Sequence, residues 1–177
     1  FACQLSAAFG EGKENIKSVK DLEKVGIFYK APCDILTVKT LKNIDLFVST
    51  STLEHIPEKD IKPIMLHIKS MLKAGGRLSL HIDYSDHLSH NDPTIGRNNF
   101  LQFTDSEWEY FNTKVCYQNR LRHMHYKKIF MECDFKIIYE ESKAYDEAPL
   151  SINQSLMTGH ETDLATTGRW LLQKYIS

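Results

Sequence analysis

Two hydrophobic periods alternate along this chain, and the switches between them outline its elements. Phe1, Leu5, Ala8 and Phe9 share one helical face before Gly10 and Gly12 interrupt it. Val19, Leu22 and Val25 repeat that spacing over residues 16–24, and Gly26 stops it. Residues 26–31 read as a strand closed by Pro32-Cys33-Asp34. Residues 45–49 form a short, continuously apolar strand, the pattern of a sheet covered on both faces, and run into the polar cluster Ser49-Thr50-Ser51-Thr52. Residues 58–73 carry Ile61, Ile64, Met65, Ile68, Met71 and Leu72 on one helical stripe. Pro57 marks its start, and Gly75-Gly76 mark its end. Residues 77–83 alternate as a strand, so strand, helix and strand predict a right-handed parallel crossover.

Beyond it lies a long polar loop, residues 84–102, a length that points to function. Thr104-Asp105-Ser106-Glu107 is a capping box opening a short helix with Trp108 and Phe111. A second helix is predicted over residues 120–132, with strands over 135–141 and 167–175 and irregular chain between those strands. No repeat, low-complexity tract or linker divides the 177 residues, so one domain is expected over residues 1–177, with 1–26 as a helical lead-in.

Composition narrows the classes. Hydrophobic residues make up 42% and charged residues 25%, enough to build a core. The net charge of -1 argues against a nucleic-acid binder, and no apolar run reaches the roughly 18 residues of a membrane helix. Cys3, Cys33, Cys116 and Cys133 show no CxxC spacing, so free thiols and a cytoplasmic location are expected. The chain starts at Phe1 without an initiator Met and reads as beginning mid-protein.

The richest chemistry lies at residues 81–92, where His81, Asp83, Asp86, His87, His90 and Asp92 crowd together. His87-x-x-His90 lacks an HExxH context, so no metal is assigned. A general base is more economical, because imidazole titrates near neutrality. His87 and His90 are the candidates, with Asp83 or Asp86 orienting the ring. A solvated polar loop is the bland alternative. Glu54 reads as a helix cap, and His55 is left more open. Gln118, Asn119, Arg120 and Arg122 form a second polar group, suited either to an anionic substrate group or to solvation of a helix start.

The run from Asp45 to Pro57, a strand entering Leu53-Glu54-His55-Ile56, resembles the fourth-strand region of class I S-adenosylmethionine-dependent methyltransferases. Residues 71–83 resemble the next helix end and fifth strand, residues 29–34 the end of the third strand, and residues 83–93, 99–101 and 118–122 an uncharacterised bacterial branch of these enzymes. The resemblance spans residues 27–177 and implies strands three to seven of the family's order 3-2-1-4-5-7-6. The implied fold class is α/β, a Rossmann-like mostly parallel sheet flanked by helices and incomplete at its N-terminal side. The implied cofactor is S-adenosylmethionine, with Asp34 at the adenine amine and Cys33, Ser49, Thr50 and Ser51 beside the cofactor. The family's glycine-rich turn and ribose-binding acid are not found; Phe9-Gly10-Glu11-Gly12 has no strand before it. Either the chain is incomplete or the fold is altered, and the unpaired sheet edge left behind would favour a homodimer.

The expected reaction is methyl transfer to a small-molecule O or N acceptor, His87 and His90 facing that acceptor with Asp83 and Asp86. The rivals are a non-catalytic methyltransferase-like binding module and a metal-dependent hydrolase using the His/Asp loop.

Overall fold

A computed structural model describes residues 18–144, 152–153 and 163–175. The expected helix over residues 1–9 and the Gly10/Gly12 turn lie outside the described residues. The chain divides into two compact units, Phe1–Val38 and Lys39–Ser177. No described helix is long and apolar enough to cross a membrane.

In the first unit, Ser18 and Asp21 form a reciprocal cap on a 3-10 helix, Val19–Val25, which Gly26 closes at φ 77°. The strand expected over residues 26–31 does not form. Among the described residues nothing forms a ladder with residues 27–31, and Phe28 and Tyr29 are 79% and 66% exposed. An apolar run becomes a strand only when a neighbour accepts its backbone hydrogen bonds. Asp34 caps the short turn Ile35–Thr37, its Oδ1 accepting from Leu36 N at 2.9 Å.

The second unit is a four-stranded sheet with helices on one face. In chain order it comprises β1 (Ile44–Thr50), α1 (Glu58–Met71), β2 (Leu72–Asp83), α2 (Asp105–Phe111), α3 (His123–Glu132), β3 (Phe135–Ala144) and β4 (Ala165–Lys174). The spatial order is β1-β2-β4-β3. The predicted crossover is present: β1 and β2 pair in parallel around α1. β4 runs antiparallel to both β2 and β3, so three of the four strands point one way. This order equals the 4-5-7-6 half of the order that the resemblance implied.

The core lies between the sheet and the helices. Ile61, Met65 and Ile68 of α1 and Tyr126 and Phe130 of α3 are buried with Leu78, Leu80, Ile82, Trp170 and Leu172 of the sheet. Each fully buried aliphatic or aromatic side chain contributes about 1.5–3 kcal/mol relative to exposure. The opposite sheet face is open where Val48 pairs with Ser79, and Leu171 with Tyr139. Val48 is 60% exposed, so the expectation of a strand covered on both faces is corrected: β1 is an edge strand covered on one.

Two boundaries also move. The helix ends at Met71, and Gly75-Gly76 lie inside β2, where its pairing with β1 slips between Ile44 and Leu46. A Cβ at Gly76 would sit 2.8 Å from Ile44 O, so glycine lets the two backbones close. The last helix starts at His123 rather than residue 120, because residues 118–122 spend their polar side chains on other segments. The capping box Thr104/Glu107 opens α2 as expected.

Gly168 on β4 lies directly over the Tyr84 ring, which is fixed by Trp170 Nε1 donating to its hydroxyl at 3.0 Å. A Cβ there would fall 2.6 Å from Tyr84 Cζ, closer than any real contact. Gly168→Ala should therefore destabilise the fold by about 1–3 kcal/mol. Urea unfolding checks this, and an unchanged midpoint would refute the packing described.

Candidate functional site

β1 ends at Thr50, and Ser51 turns the chain at φ 47°, a region that few non-glycine residues occupy. Ser51 N still donates to His81 O at 2.9 Å, so the turn stays fastened to β2. The chain then enters the 3-10 turn Leu53–His55. Asn119 clamps that turn: its backbone N–H donates to Glu54 O at 2.7 Å, and its amide donates to Leu53 O and Ile56 O at 2.9 and 2.8 Å. β2 ends at Asp83, whose Oδ1 accepts from Ser85 N at 2.8 Å and Ser85 Oγ at 2.6 Å. Asp86 then caps the 3-10 turn His87–His90 by accepting from Leu88 N at 2.9 Å. Gln118 accepts from His87 N at 3.2 Å and donates to Ser85 O.

These two turns, fixed at the carboxyl ends of neighbouring parallel strands, bring five titratable side chains together. The His87 ring lies 4.9 Å from the His55 ring, edge on, and 4.9 Å from the His90 ring, nearly parallel. Asp83 Oδ2 is 3.4 Å from His90 Nε2 and 3.8 Å from His87 Nε2. His55 Nδ1 donates to Tyr117 O at 2.9 Å, which leaves its Nε2 as a lone-pair nitrogen. Ser85 gives its one hydroxyl proton to Asp83, so its Oγ accepts from His90 Nε2–H at 3.0 Å, and His90 Nδ1 carries the lone pair.

Glu54 is the unexpected member. Its side chain is 1% exposed, yet among the described residues neither carboxyl oxygen has a hydrogen-bond partner. It therefore does not cap α1, as the sequence led us to expect. Burial pushes its pKa up to about 7, with the nearby backbone amides of Glu54 and Asp83 and the His55 ring opposing the rise and the Asp83 charge reinforcing it. Burial likewise lowers the pKa of His87, against the pull of the Asp83 charge, and its Nε2 also lacks a hydrogen-bond partner among the described residues.

The expected site residues divide. Asp83, His87 and His90 converge. Asp86 is fully buried, and its carboxylate is spent on Leu88 N and on Asn99 Nδ2 at 3.2 Å. It reaches His87 only as a nearby charge, so it does not orient an imidazole by hydrogen bonding. Asp92 caps its own turn through Thr94. Ser49 and Thr50 open a hollow of about 570 Å³ on the sheet, shared with Ser79 and with His81, whose buried Nδ1 has no hydrogen-bond partner among the described residues. Hydroxyls beside a free ring nitrogen fit the polar, hydroxyl-bearing part of a nucleoside. Ser51 serves the turn. Cys33 and Asp34 belong to the first unit, where Cys33 is an exposed free thiol and Asp34 a turn cap.

The anionic-substrate reading of the second polar group is corrected. Arg122 is 5% exposed and donates to Tyr84 O, Asp163 O, Ala165 O and Asn98 Oδ1. Arg120 donates to Phe100 O, Phe103 O and Asp105. Both guanidiniums are therefore held by acceptors of the protein itself. Residue-by-residue reading missed Ser85 and undervalued Glu54. The available signal was an acid–imidazole pair placed directly after an apolar strand.

No protein-family model matches this chain, and no curated protein matches its sequence. Solved structures do share its fold. A SAM-dependent methyltransferase from Methanosarcina mazei superposes with a TM-score of 0.51 at 15% identity, over 92% of this chain and 80% of that one. A candidate sarcosine dimethylglycine methyltransferase from Galdieria sulphuraria gives 0.50 at 13% identity, over 81% and 58%. Phosphoethanolamine N-methyltransferase 2 from Haemonchus contortus, solved with S-adenosyl-L-methionine, gives 0.49 at 15% identity over 81% of this chain. The chain spans about a third of the length of such larger enzymes, 36% of the Haemonchus protein and 34% of an O-methyltransferase candidate from Nostoc punctiforme. At these identities the likeness shows the methyltransferase fold.

The buried carboxyl of Glu54 makes stability depend on pH. Its proton is held more tightly in the folded state than at the ordinary value of 4.5. Stability should therefore fall as pH rises from about 4.5 to about 7 and level off above, by on the order of 3 kcal/mol. Glu54→Gln should remove that slope and make the protein more stable than wild type at pH 8. Chemical unfolding of both proteins at pH 5 and pH 8 checks it, and parallel slopes would refute it.

Proposed function

We propose that this protein transfers a methyl group from S-adenosylmethionine to a small-molecule O or N acceptor at the carboxyl ends of β1 and β2. The observation that supports the reading is the Asp83–Ser85–His90 chain at the carboxyl end of β2, the end of the strands at which open α/β sheets bind ligands. Bound S-adenosylmethionine supplies an electrophilic methyl on a sulfonium, and its departure leaves a neutral thioether. Ser49 and Thr50, with Ser79 and His81 across the same hollow, offer the polar contacts for its nucleoside part. His90 Nδ1 would take the proton that the acceptor hydroxyl or amine loses on methylation. Asp83 and Ser85 hold the ring by its Nε2 edge and stabilise the imidazolium that forms. His87 stacks on His90 and limits its rotation.

Calorimetry of the full-length protein with S-adenosylmethionine should show binding. His90→Ala should lower kcat/KM for the accepted substrate by about 100-fold while leaving cofactor affinity within a factor of about two. Absence of binding heat from correctly folded protein would overturn the reading and favour a non-catalytic module. Unchanged turnover in the His90 variant would overturn the assignment of the base.

A further inference from the structure

We propose that Glu54, His55 and His87 form a binding site for a first-row divalent transition-metal ion. The loop spacing of His87 and His90 alone assigns no metal; the fold adds two ligands from another segment. Glu54, His55 and His87 each offer a ligand atom within 4.8 Å of the others. Around an ion with bonds of about 2.1 Å, tetrahedral ligand atoms lie about 3.4 Å apart, so the set has to close only modestly to hold one. Two imidazoles and one carboxylate suit zinc and its neighbours better than magnesium or calcium, which prefer all-oxygen shells.

Three further features select these residues. Glu54 is a buried carboxylate, and neither of its oxygens has a hydrogen-bond partner among the described residues; buried acids are normally paired, bonded or metal-bound. His55 donates Nδ1–H to Tyr117 O, the outer-shell bond that holds a ligating imidazole in its Nε2 lone-pair tautomer. The second grouping, Asp83 with His87 and His90, is already served internally: both Ser85 donors fall on Asp83 Oδ1, and Ser85 Oγ accepts from His90. Its members therefore gain less from an ion. His55 is exposed and Glu54 buried, so the group runs from solvent into the interior and an ion can reach it from the His55 side.

The inference does not rest on methyl transfer, and its test omits the cofactor. Full-length protein stripped with a chelator is titrated with zinc chloride by calorimetry and, in parallel, with cobalt(II) followed by visible absorption. The expected result is one ion per chain, a raised unfolding temperature, and a cobalt spectrum of low coordination number. Glu54→Gln, which preserves shape, and His55→Ala, at the exposed rim, should each weaken binding by at least about 10-fold. His90→Ala should change it by less than about threefold. No binding in folded wild-type protein overturns the proposal. So does binding that Glu54→Gln leaves intact, whether or not His90→Ala abolishes it. Failure here with S-adenosylmethionine binding retained would leave the methyl-transfer reading standing; the reverse pattern would leave the metal site standing alone.

Discussion

The second unit depends on one buried cation. Arg122 sits where the end of β2, the loop after it and the start of β4 meet, and its guanidinium donates to Tyr84 O, Asn98 Oδ1 and Ala165 O, with Asp163 O completing the set. Burial alone lowers its pKa to about 10, so it stays charged near neutrality with its donors spread over partial negative charges. A buried acceptor left without a donor costs about 1–3 kcal/mol, and four acceptors lose theirs together if this side chain goes. The same point anchors the site. Tyr84 O is the first carbonyl after Asp83, and Gln118 and Asn119, just upstream of Arg122, hold the two turns that carry Glu54, His55, His87 and His90. Positioning of the histidines and integrity of the sheet are therefore one constraint.

Much of the fold was legible because burial leaves a periodic trace. The stripe Ile61, Met65, Ile68 and Met71 faces the sheet, the alternation from Leu78 to Ile82 faces the helix, and the Thr104 capping box opens α2 where it should. What failed was whatever depends on a partner strand. Ile27, Phe28 and Tyr29 have strand composition, yet among the described residues no strand pairs with them. Leu46-Phe47-Val48 reads as doubly covered because hydrophobicity cannot distinguish a covered face from an exposed one, and only the sheet order places β1 at an edge. Arg120 was assigned to a helix on composition, whereas its guanidinium is spent on the carbonyls of Phe100 and Phe103, contacts that no local pattern records.

The site was legible in part for the same reason. Asp83, His87 and His90 fall within one loop, and their clustering survives folding. Asp86 lies among them in sequence, but its spacing to Leu88 makes it a turn cap, which a list of ligand-type residues does not distinguish from a site acid. Glu54 and His55 stand roughly thirty positions upstream and meet His87 only because β1 and β2 are parallel neighbours whose carboxyl ends lie side by side. A parallel crossover converts sequence distance into adjacency at that end of the sheet, so an acid–imidazole pair after one strand belongs in the same inventory as the loop after the next.

The electrostatics of this corner set it apart from the rest of the molecule. Lys62 pairs with Glu132, Lys69 with Asp134 and Lys127 with Glu140, while Arg122 is surrounded by acceptors. Glu54 has no such ion pair: Asn119 satisfies its backbone carbonyl, but among the described residues neither carboxyl oxygen has a hydrogen-bond partner. Among the described residues, a buried carboxyl without a hydrogen-bond partner lies beside an unbonded imidazole nitrogen only at the ends of β1 and β2. That local cost opposes stability, and electrostatic strain of this kind concentrates at positions used for binding or catalysis. The site is therefore marked less by the number of histidines than by the one acid among them that the protein leaves without a donor.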